Sequence, residues 1–305
     1  MIYTITLNPS IDYVVHLNSF IRGAMNRTVK DCYYIGGKGI NVSLVLAELG
    51  IESSAMGFTA GFTGEAIERG LEEKGIRADF IKAANGISRI NVKLREEAES
   101  EINGQGPLIS EKESELFMEK TDIISDGDTV VIAGSIPKSL SENTYEKILE
   151  RLKDRKLNIV IDAEKNLLLN SLRYRPFLVK PNRQELSEIF RTEINSFDEA
   201  ENYAVKLHDM GAKNVLVSLD KEGAFMIDEF GNIRTAGIID KEVINTVGSG
   251  DSMVAGFLAG YQKTGDYGYA LALGTACGNA TAFSDCLATR KKIDDALRML
   301  GFNPF

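Results

Sequence analysis

The sequence predicts an α/β protein: a three-layer α/β/α sandwich with a mostly parallel central sheet and a small lid of β-strands. Three observations lead there. Short apolar runs at 2–7, 54–58, 129–133, 159–162, 177–179 and 215–218 alternate with helix-patterned stretches, the rhythm of a parallel sheet with helices on both faces. These runs are apolar almost throughout, as in strands covered on two sides. Two further segments, 11–35 and 87–106, break the rhythm. They alternate polar and apolar residues, as in Arg89-Ile90-Asn91-Val92-Lys93-Leu94, which reads as half-exposed antiparallel strands.

In chain order, residues 2–7 form the first strand. Residues 39–49 form a helix, with Ile40, Leu44, Val45 and Leu49 near a 3.6-residue period. A strand at 54–58 and a helix at 64–74 follow, and the remaining strands are spaced by helical stretches. With 305 residues, 44% of them hydrophobic, one large core can be buried. No long linker and no internal repeat interrupts the chain, so 1–305 reads as one domain carrying a lid.

Composition narrows the function. A net charge of -9 argues against non-specific nucleic-acid binding, which draws on a basic surface. It leaves open an anionic small ligand, because local fields can oppose the global charge. Cys32, Cys277 and Cys286 are widely spaced and odd in number, reading as reduced thiols of a cytoplasmic protein. No Cys/His cluster has zinc spacing. The N-terminal run lacks a basic stretch followed by an apolar core, and no apolar run is long enough to span a membrane.

Two glycine-rich turns carry the chemistry. Residues 243–251 read Val-Ile-Asn-Thr-Val-Gly-Ser-Gly-Asp, followed by a helix with Met253, Val254, Phe257, Leu258 and Tyr261 on one side. Glycines at a helix start let backbone N–H groups approach an anion, and the helix dipole favours negative charge there. Gly248, Ser249 and Gly250 are thus a candidate anion hole, and Asp251 a candidate base for an incoming hydroxyl. The same residues also suit an ordinary capped helix start. The second turn, Gly36-Gly37-Lys38-Gly39-Ile40-Asn41, opens the helix at 39–49. Its Lys38 opposes the helix dipole, which an anionic ligand would offset. Asp12, after the Asn8-Pro9 turn, faces the end of the first strand, where open α/β sheets bind ligands. It is equally an ordinary turn aspartate. The lid segments are locally basic, with Arg22, Arg27, Lys30, Arg89, Lys93 and Arg95, pointing to a phosphorylated substrate. For Arg22, Lys30 and Arg95 a solvated strand face accounts for the charge as well. Neither the P-loop pattern nor the dinucleotide fingerprint occurs at these turns.

On these residues the chain resembles the ribokinase-like, or PfkB, carbohydrate kinases over essentially its whole length. The run from Gly36 to Asn41 resembles the family's first signature, and Asn245-Thr246-Val247-Gly248-Ser249-Gly250-Asp251 its second. The resemblance implies ATP-dependent phosphorylation of a sugar hydroxyl, with Asp251 as base and the amides of Gly248, Ser249 and Gly250 as anion hole. Lys180-Pro181-Asn182-Arg183-Gln184-Glu185 is similar to the family's N-x-x-E element, so Asn182 and Glu185 would organise Mg²⁺ through water and Lys180 would reach the nucleotide. A helix cap is the structural alternative for Asn182 and Glu185. Residues 217–224 resemble the adenine-nucleotide loop, implying nucleotide contacts from Ser218, Asp220 and Gly223, with Gly250 and Asn279 completing the pocket. Asp220 stands where a Gly is usual, and Asn245 where many relatives have Asp, so no potassium site is expected.

The same resemblance points to a sugar-phosphate subgroup. Asp12, Gly37, Lys38 and Asn41 would hold sugar hydroxyls. Arg27, Arg89 and Ser135 would hold the substrate phosphate, with Lys93 a further candidate. The stretch Glu101-Ile102-Asn103-Gly104-Gln105-Gly106-Pro107 favours fructose 1-phosphate as substrate. Alternatives are tagatose 6-phosphate or fructose 6-phosphate, or a non-catalytic sugar-phosphate sensor. The exposed lid edges suit a homodimer.

Overall fold

Strand β1 (Ile2–Thr6) has no exposed residue and runs through the middle of a nine-stranded sheet. The computed structural model describes residues 1–96 and 99–305. Residues 97 and 98, inside the predicted lid segment 87–106, lie outside the described residues. The lid strands are β2 (Ser10–His16), β3 (Lys30–Gly36), β6 (Arg89–Arg95) and β7 (Glu99–Ile102). The main sheet adds β4 (Ser53–Thr59), β5 (Arg77–Lys82), β8 (Thr129–Ala133), β9 (Asn158–Asp162), β10 (Leu178–Val179), β11 (Asn214–Ser218), β12 (Ala224–Ile227) and β13 (Ile233–Ala236). Its order is β13-β12-β11-β10-β9-β8-β1-β4-β5, parallel except where β12 pairs with β11 and β13. Chain order turns round at β1, with β4 on one side and β8 on the other. That is the switch point at whose carboxyl edge open sheets bind ligands.

Alternation along the strands explains the three layers. Ile5, Val130, Ile132, Ile161, Val179, Val215 and Val217 face one core with α3 (Glu111–Lys120), α4 (Thr144–Leu152), α5 (Lys165–Ser171), α6 (Arg183–Phe190) and α7 (Phe197–Asp209). Ile2, Val131, Ala133, Val160, Leu178 and Leu216 face the other, under α1 (Lys38–Glu48), α8 (Ser249–Thr264), α9 (Tyr267–Ala282) and α10 (Arg290–Met299). Helix α2 (Gly61–Glu72) closes the β4–β5 end with Ile67 and Leu71 against Ile40, Ala55 and Phe80. Helices α8 and α9 nearly touch backbone to backbone: a Cβ on Gly256 would come 2.6 Å from the Leu273 carbonyl oxygen.

The lid sheet has the order β3-β2-β6-β7. The predicted segments reach its strands to within one residue, at Ser10 and Gly36. Its pairing corrects the expectation of antiparallel strands: β2 and β6, at its centre, run parallel, because each rises from the carboxyl edge of the main sheet in the same sense. Only the outer pairs β2–β3 and β6–β7 are antiparallel. Strands β5, β12 and β13 had no counterpart among the predicted runs. They lie toward the sheet's two edges; β5 and β13 contain exposed and half-buried positions, whereas β12 is apolar and buried throughout.

Candidate active site

Two opposed groups of residues meet at the switch point. The first is the start of α8. Asn245 Oδ1 accepts from the Val247 N–H at 3.0 Å, and its amide donates to the Asp285 carbonyl at 3.1 Å, which pins the approach. Gly248 caps the helix at φ 79°, a left-handed position that glycine takes without Cβ strain. Ser249, Gly250 and Asp251 form the first turn. Among the described residues, the N–H groups of Gly248 and Gly250 have no backbone acceptor, whereas that of Ser249 turns back to the Thr246 carbonyl at 3.2 Å. The predicted anion hole is therefore open at Gly248 and Gly250 and already engaged at Ser249.

Asp251 is buried, and its carboxylate accepts a 2.7 Å hydrogen bond from Asn41 Nδ2. That bond joins the two glycine-rich turns across 210 residues. Burial first, and then the charge of Asp162, pushes the Asp251 carboxyl up to about 7, against the pull of Lys38, Asn41 and Lys180. Asp162 ends β9 and is itself buried. Burial opposes its charge, but Lys180 and Lys38 outweigh this and hold it below the ordinary carboxylate range. Lys38 Nζ lies 3.1 Å from Asp162 Oδ1 and 3.7 Å from Glu185 Oε1; Lys180 Nζ lies 3.7 Å from Asp162 Oδ1. The other oxygen, Asp162 Oδ2, is buried with no hydrogen-bond partner among the described residues.

This arrangement changes the reading of Lys38. The sequence assigns it to sugar hydroxyls and needs a ligand to offset its charge against the α1 dipole. The structure offsets that charge internally, with Asp162 and Glu185, and turns the ammonium into the carboxylate cluster. Burial works against the Lys38 charge, but Asp162, Asp251 and Glu185 hold it well above the usual lysine range. Lys180 stands beside the same helix start: a Cβ on Gly250 would meet its Nζ at 3.0 Å. Asn182 and Glu185 form the capping box of α6, Asn182 accepting from the Glu185 N–H at 2.7 Å and Glu185 Oε2 from the Asn182 N–H at 2.8 Å. That leaves Glu185 Oε1, with only the long contact to Lys38, turned toward the cluster.

The second group lies under the lid. Asp12 Oδ1 accepts from Ser10 Oγ and Asn91 Nδ2, each at 2.8 Å. Asn91 Oδ1 in turn accepts from the Gly104 N–H at 3.2 Å, and Asn8 Nδ2 donates to the Gln105 carbonyl at 3.2 Å. The stretch 101–107 is thereby tied to Asp12. Arg89 Nε donates to the Asn8 carbonyl at 3.0 Å, and burial pulls its guanidinium below the usual range, opposed by Asp12 and Glu101. Lys93 Nζ is occupied by Glu101 at 2.7 Å. Gly37 caps α1 at φ 121°, with its Cα so close to β1 that a Cβ would lie 2.7 Å from Thr6 Cγ2.

Residues 5–288 match the pfkB family carbohydrate kinases. The chain belongs to this family. It is 45% identical over 297 residues to the 1-phosphofructokinase of Bacillus subtilis (strain 168), covering 97% of each chain. It is 36% identical over 295 residues to the D-tagatose-1-phosphate kinase of Bacillus licheniformis, covering 96% of each. Among solved structures, phosphofructokinase-2 from Escherichia coli in complex with substrates and products superposes with a TM-score of 0.91, at 26% identity and 99% coverage of both chains. The sandwich is the ribokinase-like fold. No helix among the described residues is long and apolar enough to cross a membrane.

Within this pfkB kinase, the sequence-predicted residues do not all converge. Asp12, Gly37, Asn41 and Arg89 line one end and Lys38, Lys180, Glu185 and Asp251 the other. Arg27 sits on the exposed loop between β2 and β3, Ser135 is exposed after β8, and Asn279 is half-buried on α9. Ser218, at the end of β11, lies beside Asn182, and Asp220 in the following loop is exposed. Asp220 adopts φ 51°, the left-handed conformation that explains a usual Gly there and that Asp tolerates. Sequence reasoning missed Asp162 and Asn91. Asp162 carried a signal: a carboxylate at the carboxyl end of an otherwise apolar central strand, where ligands bind.

Proposed function

We propose that this kinase transfers the γ-phosphoryl group of ATP to the 6-hydroxyl of fructose 1-phosphate, giving ADP and fructose 1,6-bisphosphate. The observation that carries the reading is the 2.7 Å bond from Asn41 to the buried Asp251, which supports Asp251 as the base between the two signature turns. The name of the Bacillus subtilis relative supports the choice of sugar. The O6 oxygen forms the new bond to the γ-phosphorus as the bond to the β,γ-bridging oxygen breaks, and the O6 proton goes to Asp251. The transition state is loose, so Asp251 mainly orients the hydroxyl and takes its proton late. The free N–H groups of Gly248 and Gly250, with Lys38 and Lys180, balance the charge on the transferring group. Asp162 holds both ammonium groups at that place.

Asp12, Gly37 and Asn41 would take the sugar hydroxyls, and Arg27, Arg89 and Ser135 the substrate phosphate. Ser218, Asp220, Gly223 and Asn279 would border the nucleotide. Glu185 would hold a magnesium ion through water, with Asn182 holding Glu185 in place through the α6 cap, since Glu185 Oε1 and the unpartnered Asp162 Oδ2 are both oxygens left over in the cluster. Such an ion would neutralise phosphate charge. The unpaired cysteines support a cytoplasmic setting.

A coupled ADP-release assay over fructose 1-phosphate, fructose 6-phosphate, tagatose 1-phosphate and tagatose 6-phosphate tests the reading. Highest kcat/KM with fructose 1-phosphate is expected. Preference for a tagatose phosphate would reassign the substrate, and no turnover with any would leave a sensor.

The lid supports a homodimer through its outer face. Register lines up Tyr33, Tyr13, Val92 and Ile102 in one row, while Tyr34, Asp12 and Asn91 form a row on the opposite, site-facing side. Tyr33 is 66% and Ile102 62% exposed, an apolar row without cover. Tyr33→Asp with Ile102→Asp is expected to yield monomers by sedimentation; a wild-type chain that is already monomeric would refute this interface.

A further inference from the structure

The carboxyl ends of β9, β10 and β11 carry or adjoin Asp162, Lys180 and Ser218 of the candidate active site. At their opposite ends lies a cavity of about 570 Å³, bordered by Lys153, Arg155, Lys156, Arg175, Lys213 and Tyr174. Its floor is apolar, from Leu149, Leu152, Leu157 and Ile159. Among the described residues, no carboxylate is part of its lining, in a chain whose net charge is -9. We propose that this cavity binds a small polyanion of the phosphate class, at a site separate from the catalytic one.

The cations differ in how they are satisfied. Lys153 pairs with Glu150. Arg155 donates to the Thr121 and Ile124 carbonyls, both at 2.8 Å, and to Asp122 at 2.9 Å. These two are structural. The side chains of Lys156, Arg175 and Lys213 have neither an ion pair nor a hydrogen bond among the described residues. The acidic groups at the rim are taken: Glu150 by Lys153 and the Tyr174 hydroxyl, Asp122 by Arg151 and Arg155, and Asp126 by the Lys156 N–H. Three cationic side chains therefore border one concavity without an ion pair of their own among the described residues. Arg175 does so from a left-handed backbone, φ 52°, a conformation uncommon for arginine and one that persists where the surroundings hold it. A concave, partly apolar wall strengthens the attraction of such a group of cations for an anion. The volume is within the range of small-molecule sites.

The probe is inorganic tripolyphosphate, titrated calorimetrically into the full chain at low salt; comparison with the variants below separates the cavity from any catalytic-site binding. The test variant combines Lys156→Gln, Arg175→Asn and Lys213→Gln; Asn is chosen because it tolerates the left-handed backbone. Arg175→Asn alone serves as a second variant, and thermal unfolding checks both. Wild type is expected to show a site whose Kd rises at least about ten-fold in the triple variant, from three lost charge contacts. Any kinase turnover should stay unchanged, because none of the three residues belongs to the catalytic machinery. A control, Lys112→Gln with Lys291→Gln, should leave binding as it was. The proposal is overturned if the triple variant binds as wild type does, which would mean binding elsewhere, or if the control weakens binding equally, which would mean diffuse ion attraction only.

Discussion

Replacing Asp162 by asparagine probes the pairing of two buried carboxylates. Asp251, at about 7, must be ionised to accept the hydroxyl proton. Wild-type kcat/KM should then follow the ionised fraction, about half of the plateau at pH 7 and about one tenth at pH 6. The amide introduced by Asp162→Asn carries no charge, so the second-largest cause of the upward push on Asp251 disappears and the base ionises at lower pH. A fall of about one unit would restore about half of the variant's own plateau at pH 6, roughly a five-fold relative gain. The plateau itself should drop, because Asp162 is the counter-charge for Lys38 at 3.1 Å and for Lys180 at 3.7 Å. Lys180 is only 4% exposed, and breaking a buried pair on one side costs about 3–5 kcal/mol of stability. The assay is coupled ADP release, with kcat/KM for the sugar phosphate measured at saturating ATP from about pH 5.5 to about pH 9. An acid limb that stays in place, or moves to higher pH, would refute the electrostatic link between Asp162 and Asp251.

Asn41→Ala removes the donor to the Asp251 carboxylate, so its acid limb should move the opposite way, to higher pH, in the same assay. Asp251→Asn should lose at least about 10²-fold in kcat; near-normal turnover would remove the base. The same variant tests stability. The folded Asp251 ionises at about 7, above its unfolded value of about 3.9, so the folded state binds the proton more tightly. Its cost to stability is absent below the unfolded value and complete above about 7, so Asp251→Asn should raise the unfolding temperature near pH 8 relative to wild type and do little near pH 4. Gly37→Ala meets both a φ of 121° and a Cβ position 2.7 Å from Thr6 Cγ2; it should cost about 1–3 kcal/mol in denaturant unfolding and raise KM for the sugar phosphate.

The buried parallel strands were legible because a strand covered on both faces reads as an apolar run, as Val130-Val131-Ile132 and Val215-Leu216-Val217 do. The lid was legible because its strands present one polar and one apolar face, so Asp12 and Asn91 alternate with Tyr13 and Val92. The edge strands β5 and β13 were not, because their partial exposure weakens that pattern; β12 was missed although its four residues are apolar and buried. Both glycine-rich turns stood out, since few structures other than a close backbone approach require so many glycines at a helix start. The sequence by itself determined the fold class, and these turns pointed to the residues proposed for the site, with Asp251 as the proposed base. It could not decide what Lys38 faces, because spacing along the chain gives no distance between elements 124 residues apart. Only the tertiary structure, by setting the ends of β9 and β10 beside the starts of α1 and α8, put Asp162 between two lysines and next to Asp251. The ionisation of the base depends on that arrangement, since charge interactions follow distance in space and burial.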